Sequence, residues 1–594
     1  MSISKPGGNT PPNKSAYSRR QALRLGGAAL AAGVYAGVTS SASAKKGDRR
    51  GRKRDDDDDV VGPGDTGDTV GPNHFGYTPF TQPMPVPPVK QPLSVGTAPY
   101  KVGDVYHGVA PEYFDRSVAE RPDLTWYETL PTAFYEMRMQ HGVHEFFPGV
   151  STPVYGYDGS HPGPTFKFRV GQPAVVRQWN DLHDVHETSV HLHGGHNPSH
   201  SDGYPNFYVL PGQARDYFYS NTVPMEHGEP DLTESPSTMW YHDHGMDITD
   251  KNVAMGLVGF CLAFDELELD LIARNVLPAE RFDIPLVVCD KKFNADGTIF
   301  FDPLDHNGYL GDVHLANGKV QPYFKVERRK YRFRILNGSG ARVMELRLSN
   351  DQPFIRLGKD SWLYPEAIEE DRVLLGMANR ADVIIDFTDA PDEVFLENIL
   401  PQDDGRGPNG TLTDRKSEIP GIPLVKFIVE GPPQPDSATV DVGTPLRPHT
   451  LIREDEIVRT RIFEFERRKG AWQINHKFFD ENRADAIPVL GTAERWILRN
   501  NSGGWWHPIH IHLESHQQVL QDGAIPPLSD RFKSDTALLG GNSEVQLFMK
   551  FRTFRGPFVF HCHNMAHEDM RMMFVFDPRT EPGAEPQAVQ QVFP

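Results

Sequence analysis

HCHNMAHEDMRMM, residues 561–573, carries one of the three cysteines in the chain, together with three histidines and four methionines. A lone cysteine is most often a small buried hydrophobe. This one stands between His561 and His563, directly after the strand-like run PFVF. On a strand, side chains alternate with period 2, so the two imidazoles of H-x-H share one face. A scarce thiol between two co-facial imidazoles has the composition of a metal site.

Three further clusters repeat the pattern. His191 and His193 stand in VHLHGG, and His242 and His244 in MWYHDHG. His507, His510 and His512 stand in WWHPIHIHL. One H-x-H pair is weak evidence, but four pairs beside apolar or aromatic strands are a constellation. By contrast, His183, His186, His196, His200 and His227 lie in polar loops and read as solvated. Two imidazoles, a thiolate and a weak axial methionine form the blue-copper donor set. His507, Cys562 and His567 supply the three strong ligands, with Met572 as the axial one. Met570 and Met573 are rival axial candidates, which spacing from His567 disfavours. His561 and His563 then serve other metals, and Cys562 becomes a junction between sites.

The order H-x-H-G, H-x-H, H-P-x-H-x-H, H-C-H-x3-H-x4-M resembles that of the three-domain multicopper oxidases. The chain is most like the spore-coat laccases, bilirubin oxidases and phenoxazinone synthases. GPTFKFRVGQ, MWYHDHGMDITDKNVAMGLVGF, NGKVQPYFKVERRKYRFRILN and GGWWHPIHIHL carry the likeness further, over about residues 95–580. The resemblance implies an all-β chain of three cupredoxin-like Greek-key β-sandwich domains. It implies four copper ions: a type 1 site of His507, Cys562, His567 and Met572, a type 2 site of His191 and His510, and a type 3 pair. His193, His242, His244, His512, His561 and His563 hold that pair, which with the type 2 site forms a cluster between the first and third domains. It implies a copper-dependent, laccase-like oxidoreductase that takes single electrons from phenolic or pyrrolic aromatic donors and reduces O2 to water.

O2 reduction consumes protons, so a buried cluster needs acid–base groups. Asp202, in HSDGYP, and Glu568, directly after His567, match carboxylates near the cluster in spore-coat laccases. Trp505 resembles a tryptophan beside the type 1 site of bilirubin oxidases.

The rest of the chain agrees with an exported β-protein. Gly and Pro are abundant, 53 and 51 among 594 residues, which favours short strands joined by turns. Strand-like runs recur from YEMRM to PFVFHCH. Breaks in the pattern place the domains at 75–268, 269–435 and 436–580, with a tail at 581–594. Ser18-Arg19-Arg20, the apolar run LGGAALAAGVYAGV and Ala42-Ser43-Ala44 describe a twin-arginine signal peptide over 1–44. Its apolar run is shorter than the roughly 20 residues needed to span a bilayer, so no stable membrane anchor is expected. Residues 45–74, with the block DDDDD followed by Gly, Pro and Asp, read as a disordered charged linker. The expected destination is periplasmic, cell-surface or extracellular, reached through the twin-arginine export machinery. A net charge of −19 disfavours a nucleic-acid partner. Cys261 and Cys289 lie in apolar runs, which favours buried free thiols over a disulfide.

Two other functions compete. A metallo-oxidase of Mn(II) or Cu(I) shares the motifs. Cuprous members carry a methionine-rich insertion before the last motif, whereas residues 513–556 here contain only Met549. A copper-free cupredoxin scaffold would have lost ligands, and this chain retains the full set.

Overall fold

The computed structural model describes residues 69–94, 132–184 and 187–581. The expected signal peptide, most of the linker, His186 and nearly all of the C-terminal tail lie outside the described residues. The described chain is built from pairs of sheets. The first pair is two four-stranded sheets formed between Ala133 and Phe264. The second is a seven-stranded and a five-stranded sheet between Asp283 and Glu430. The third is a six-stranded and a four-stranded sheet between Ile457 and Phe576.

Each pair closes on its own apolar core, as alternating strands demand. Met137, Val176, Leu192 and Tyr241 lie in the first, Leu286, Phe333, Val383 and Phe427 in the second, and Trp496, Ile509, Leu547 and Phe560 in the third. In each unit a strand pairs in parallel with one that follows later: Ala133–His144 with Ala174–Asn180, Asp283–Lys291 with Lys330–Asn337, and Ile457–Arg468 with Ala493–Asn500. Such neighbours need crossovers between the two sheets rather than hairpins.

Four strands and one helix carry the histidine motifs: β1 (Val190–His193), β2 (Thr238–Asp243), β3 (His507–Ile511), β4 (Phe558–Cys562) and α1 (Met565–Asp569). β1 and β2 are antiparallel neighbours, with His242 opposite His191. β3 and β4 are likewise antiparallel, with His510 opposite His561 and Ile509 opposite Cys562. Asp569, at the end of α1, accepts from the amides of Thr249 and Asp250 and so ties the third unit to the first.

The structure corrects two expectations. The linker over 45–74 ends early, because Thr69–Val70 pairs with Phe293–Asn294 and Phe75 packs on Phe147. Past the charge block, Phe75 and Tyr77 supply the apolar anchor that the Asp run lacks. His196 and His200 are buried rather than solvated, 7% and 1% exposed. Their loop is clamped under the third unit: His196 Nδ1 donates to Leu513 O (3.2 Å) and Ser199 Oγ to Pro557 O (2.6 Å). His183 and His227 are exposed, as expected. Cys261 and Cys289 are buried free thiols. Among the described residues, no helix is long and apolar enough to cross a membrane.

Candidate metal centre

Alternation along β3 and β4 divides their histidines and Cys562 between two faces. Cys562 points into the apolar core of the third unit with Ile509 and Ile511. His510, His512, His561 and His563 point the other way, toward β1 and β2 of the first unit.

On the inner face, His507, Cys562 and His567 form one buried donor triangle. His507 Nδ1 is 3.3 Å from Cys562 Sγ, His567 Nδ1 is 3.5 Å from it, and the two nitrogens are 3.2 Å apart. An ion about 2 Å from each nitrogen fits inside that triangle. The outer nitrogens are already committed: His567 Nε2 donates to Asn307 O (3.2 Å), and His507 Nε2 faces Ser502 Oγ (2.7 Å). Met572 is fully buried in the same apolar cluster as Cys562. Met573, one residue on, turns into a different cluster with Tyr204 and Phe479, and Met570 is only partly buried. Met572 is therefore the methionine that shares the thiol's surroundings. Trp505 stands 5.7 Å from the His567 ring, and Trp472 stacks on that ring at 3.8 Å.

On the outer face, eight imidazoles converge. His193, His242 and His563 form one triad, and His244, His512 and His561 another. His191 and His510 bring their Nε2 atoms within 3.2 Å of each other, joining the first unit to the third. Cys562 therefore separates two residues, His561 and His563, that belong to different triads.

The donor set fits bound metal. His191 Nδ1 donates to Asp202 O (2.5 Å), His510 Nδ1 to Asp535 O (2.9 Å) and His242 Nδ1 to Asp243 O (2.8 Å). A neutral imidazole that donates from one nitrogen keeps a lone pair on the other. Those of His191 and His510 face each other at 3.2 Å, and His244 and His512 likewise bring Nε2 to 3.1–3.3 Å from His561 Nε2. The Nε2 of His242 and both nitrogens of His563 have no protein partner. Burial pushes His507 and His242 down to about 3 and His244 to about 4, which keeps the rings neutral. Facing lone pairs repel unless a cation lies between them. Burial also raises the Cys562 thiol, so a metal must supply the driving force for its deprotonation. Imidazole with thiolate suits copper.

Two carboxylates flank the triads. Asp202 Oδ2 lies 2.7 Å from His512 Nδ1, and burial raises its carboxyl well above the usual range. Glu568 Oε2 lies 3.1 Å from His561 Nδ1, and Oε1 lies 3.5 Å from His244 Nδ1. Burial alone would raise Glu568, but the imidazoles of His561 and His244 outweigh it and hold the carboxyl below its usual value. Both carboxylates are about 1% exposed.

Sequence reasoning missed a supporting residue. Asp535 accepts from Arg380 through both oxygens (2.9 and 2.5 Å), and its Oδ1 lies 3.1 Å from His193 Nε2. That contact orients the His193 ring and leaves Nδ1, which has no protein partner, for a metal. Gly194, at φ +84°, makes room for the pair: a Cβ there would overlap Ser361 Oγ and stand 2.7 Å from Arg380 Nη2. Gly203, at φ +85°, lets the Asp202 turn press against His191, where a Cβ would meet the His191 Cα at 2.5 Å. The glycine that follows H-x-H was the visible trace of Asp535.

Comparison with known proteins agrees with this geometry. Two family models, both described as multicopper oxidase, match residues 138–267 and 453–582. A bilirubin oxidase from Albifimbria verrucaria is 32% identical over 525 residues, 85% of this chain and 82% of that protein. A laccase from Bacillus subtilis is 29% identical over 506 residues, 75% of this chain and 94% of that one. Among solved structures, a laccase from Pediococcus acidilactici aligns with a TM-score of 0.65 at 26% identity, covering 85% of this chain and 96% of that one. Its relatives make the fold three cupredoxin-like sandwiches. The chain belongs to the multicopper oxidase family, as a copper-dependent oxidoreductase of the laccase and bilirubin oxidase type that uses O2 as its acceptor.

Proposed function

We propose that this protein is an exported four-copper oxidase of phenolic or pyrrolic aromatic donors. His507, Cys562 and His567, with Met572 buried beside them, would hold one copper. His191 and His510 would hold a second. The triads of His193, His242 and His563 and of His244, His512 and His561 would hold a pair. When bound, the copper ions collect electrons one at a time and deliver them to O2, which becomes water. The observation that carries this reading is the placement of Cys562 between His561 and His563, with thiol and imidazoles on opposite faces of one strand. A single dipeptide step then links the thiolate to each triad.

The chain's own groups manage geometry and protons. Asp202 holds His512 through Nδ1 and is placed to give up a proton beside the triads. Glu568 bridges toward His561 and His244 and is placed to pass protons in from its side of α1. Trp472, fully buried, and Trp505, 6% exposed, pack beside His567 over the thiolate pocket, so a flat donor would approach from the Trp505 side.

Export by the twin-arginine route rests on Arg19-Arg20 and the apolar run that follows. It fits a protein that folds around its metal before transport. The test compares oxidation rates on bilirubin, a methoxyphenol, Cu(I) and Mn(II) with the same copper-loaded protein. Aromatic donors are expected to be fastest. A clear preference for either metal ion would replace this reading with that of a metallo-oxidase.

A further inference from the structure

We propose that Trp472 is the bridge by which a donor's electron crosses into the thiolate pocket. The inference rests on the laccase-type reading above. It begins with burial: His507, Cys562, His567 and Met572 are all 0% exposed. A donor ring cannot touch a ligand, so its electron must pass through other side chains. Trp472 lies against His567, with ring centroids 3.8 Å apart and planes 34° from parallel. Other aromatic approaches to the pocket are looser: Trp472 to His507 at 5.4 Å, Trp505 to His567 at 5.7 Å and Phe465 to His507 at 6.5 Å.

The stack is held in register. Trp472 Nε1 donates to His306 O (2.6 Å), and His567 Nε2 donates to the next carbonyl, Asn307 O (3.2 Å). Two successive carbonyls of one loop thus fix the two rings against each other.

Trp505 completes a path outward. It meets Trp472 edge-on at 4.8 Å and is 6% exposed, so it is the outer of the two indoles. The Arg467 guanidinium lies 5.2 Å from the Trp472 ring and 5.0 Å from the Trp505 ring. A neutral ring attracts this cation, and an oxidised ring would repel it. Arg467 therefore opposes a lasting positive charge on either indole. The pair couples donor to acceptor without holding a radical. In balance, a phenol loses one electron and releases its hydroxyl proton to water. A copper held by His507, Cys562 and His567 would take up that electron, and O2, the family's acceptor, would later remove it. The indoles neither gain nor lose an electron overall.

Trp472 is a positioning residue in this account, because it acts through His567. The experiment uses copper-loaded full-length protein with Trp472→Phe and Trp472→Leu. Four quantities are measured: the blue band, the reduction potential of the thiolate site, the anaerobic rate of its reduction by a methoxyphenol, and its reoxidation by O2. The expected result is an unchanged band and potential with reduction slowing in the order Trp, Phe, Leu. The Leu variant should fall by about tenfold or more, with reoxidation untouched. Should the Leu variant fail to fold, the Phe variant decides, and a wild-type reduction rate there overturns the proposal. So does a Leu variant reduced at the wild-type rate, or a rate loss that merely follows a shifted potential. A wild-type protein without a blue band overturns the laccase-type reading and this one with it. A blue wild type with an indifferent Leu variant overturns this one alone.

Discussion

Replacing Asp535 with Asn removes a negative charge facing a guanidinium that has no access to water. Arg380 is 0% exposed, and Asp535 meets it through both oxygens, at 2.9 and 2.5 Å. Removing one partner of a buried ion pair costs about 3–5 kcal/mol. Asp360 remains 3.7 Å from Arg380 and retains part of the attraction, so the low end, about 3 kcal/mol, applies here. The Asn oxygen can still accept from His193 Nε2, so the triads should fill with metal as before. Asp535 therefore separates stability from assembly. The assay is the half-life of the blue band in a fixed concentration of guanidinium. About 3 kcal/mol corresponds to a bleaching rate up to about 100-fold faster, if the pair breaks before the unfolding transition state. Asp535→Ala also frees the His193 ring and should lower copper content as well. A half-life for Asp535→Asn within about twofold of wild type, the range of an ordinary surface substitution, would refute the reasoning.

Cys562→Ser should abolish the blue band and donor oxidation while the type 2 electron paramagnetic resonance signal survives, since a hydroxyl cannot replace the soft thiolate. Retained phenol oxidation would place electron uptake elsewhere. Met572→Leu should leave the site assembled and raise its reduction potential, because the weak axial donor favours Cu(II). An unchanged potential on redox titration would transfer the axial role to Met570 or Met573. Glu568→Gln should keep the blue band and wild-type anaerobic reduction but slow reoxidation by O2 about 100-fold, the scale of a lost general acid. Slowed donor oxidation instead would count against a proton role.

The clustering of the histidines around Cys562 was legible because their spacing is set by strand geometry. H-x-H on a strand means one face, and Cys562 between two such histidines means the opposite face. Each residue of these motifs carries its neighbour's orientation with it. Asp202 and Glu568 were reached through the family resemblance instead: Glu568 directly follows His567, whereas HSDGYP holds none of the clustered histidines. Asp535, Arg380 and Trp472 were not legible. They reach the site from separate strands or loops, and nothing local in DTALLG, MANRAD or KGAWQI announces a metal. His196 and His200 are buried although their loop is polar in composition. Its burial depends on Leu513 and Pro557, more than 300 residues away in the chain. The linker misled at its end because composition marks where charge stops, whereas order begins where an apolar anchor finds a partner, and Phe75 finds Phe147.

On the proposed reading one strand, β4, serves two copper sites from its two faces. The most direct test is copper content measured together with the visible spectrum of the oxidised protein. About four coppers per chain are expected, from twelve candidate ligands of copper-binding type, with an intense blue band from the Cys562 thiolate. Zinc in place of copper, or full copper content with no blue band, would contradict it.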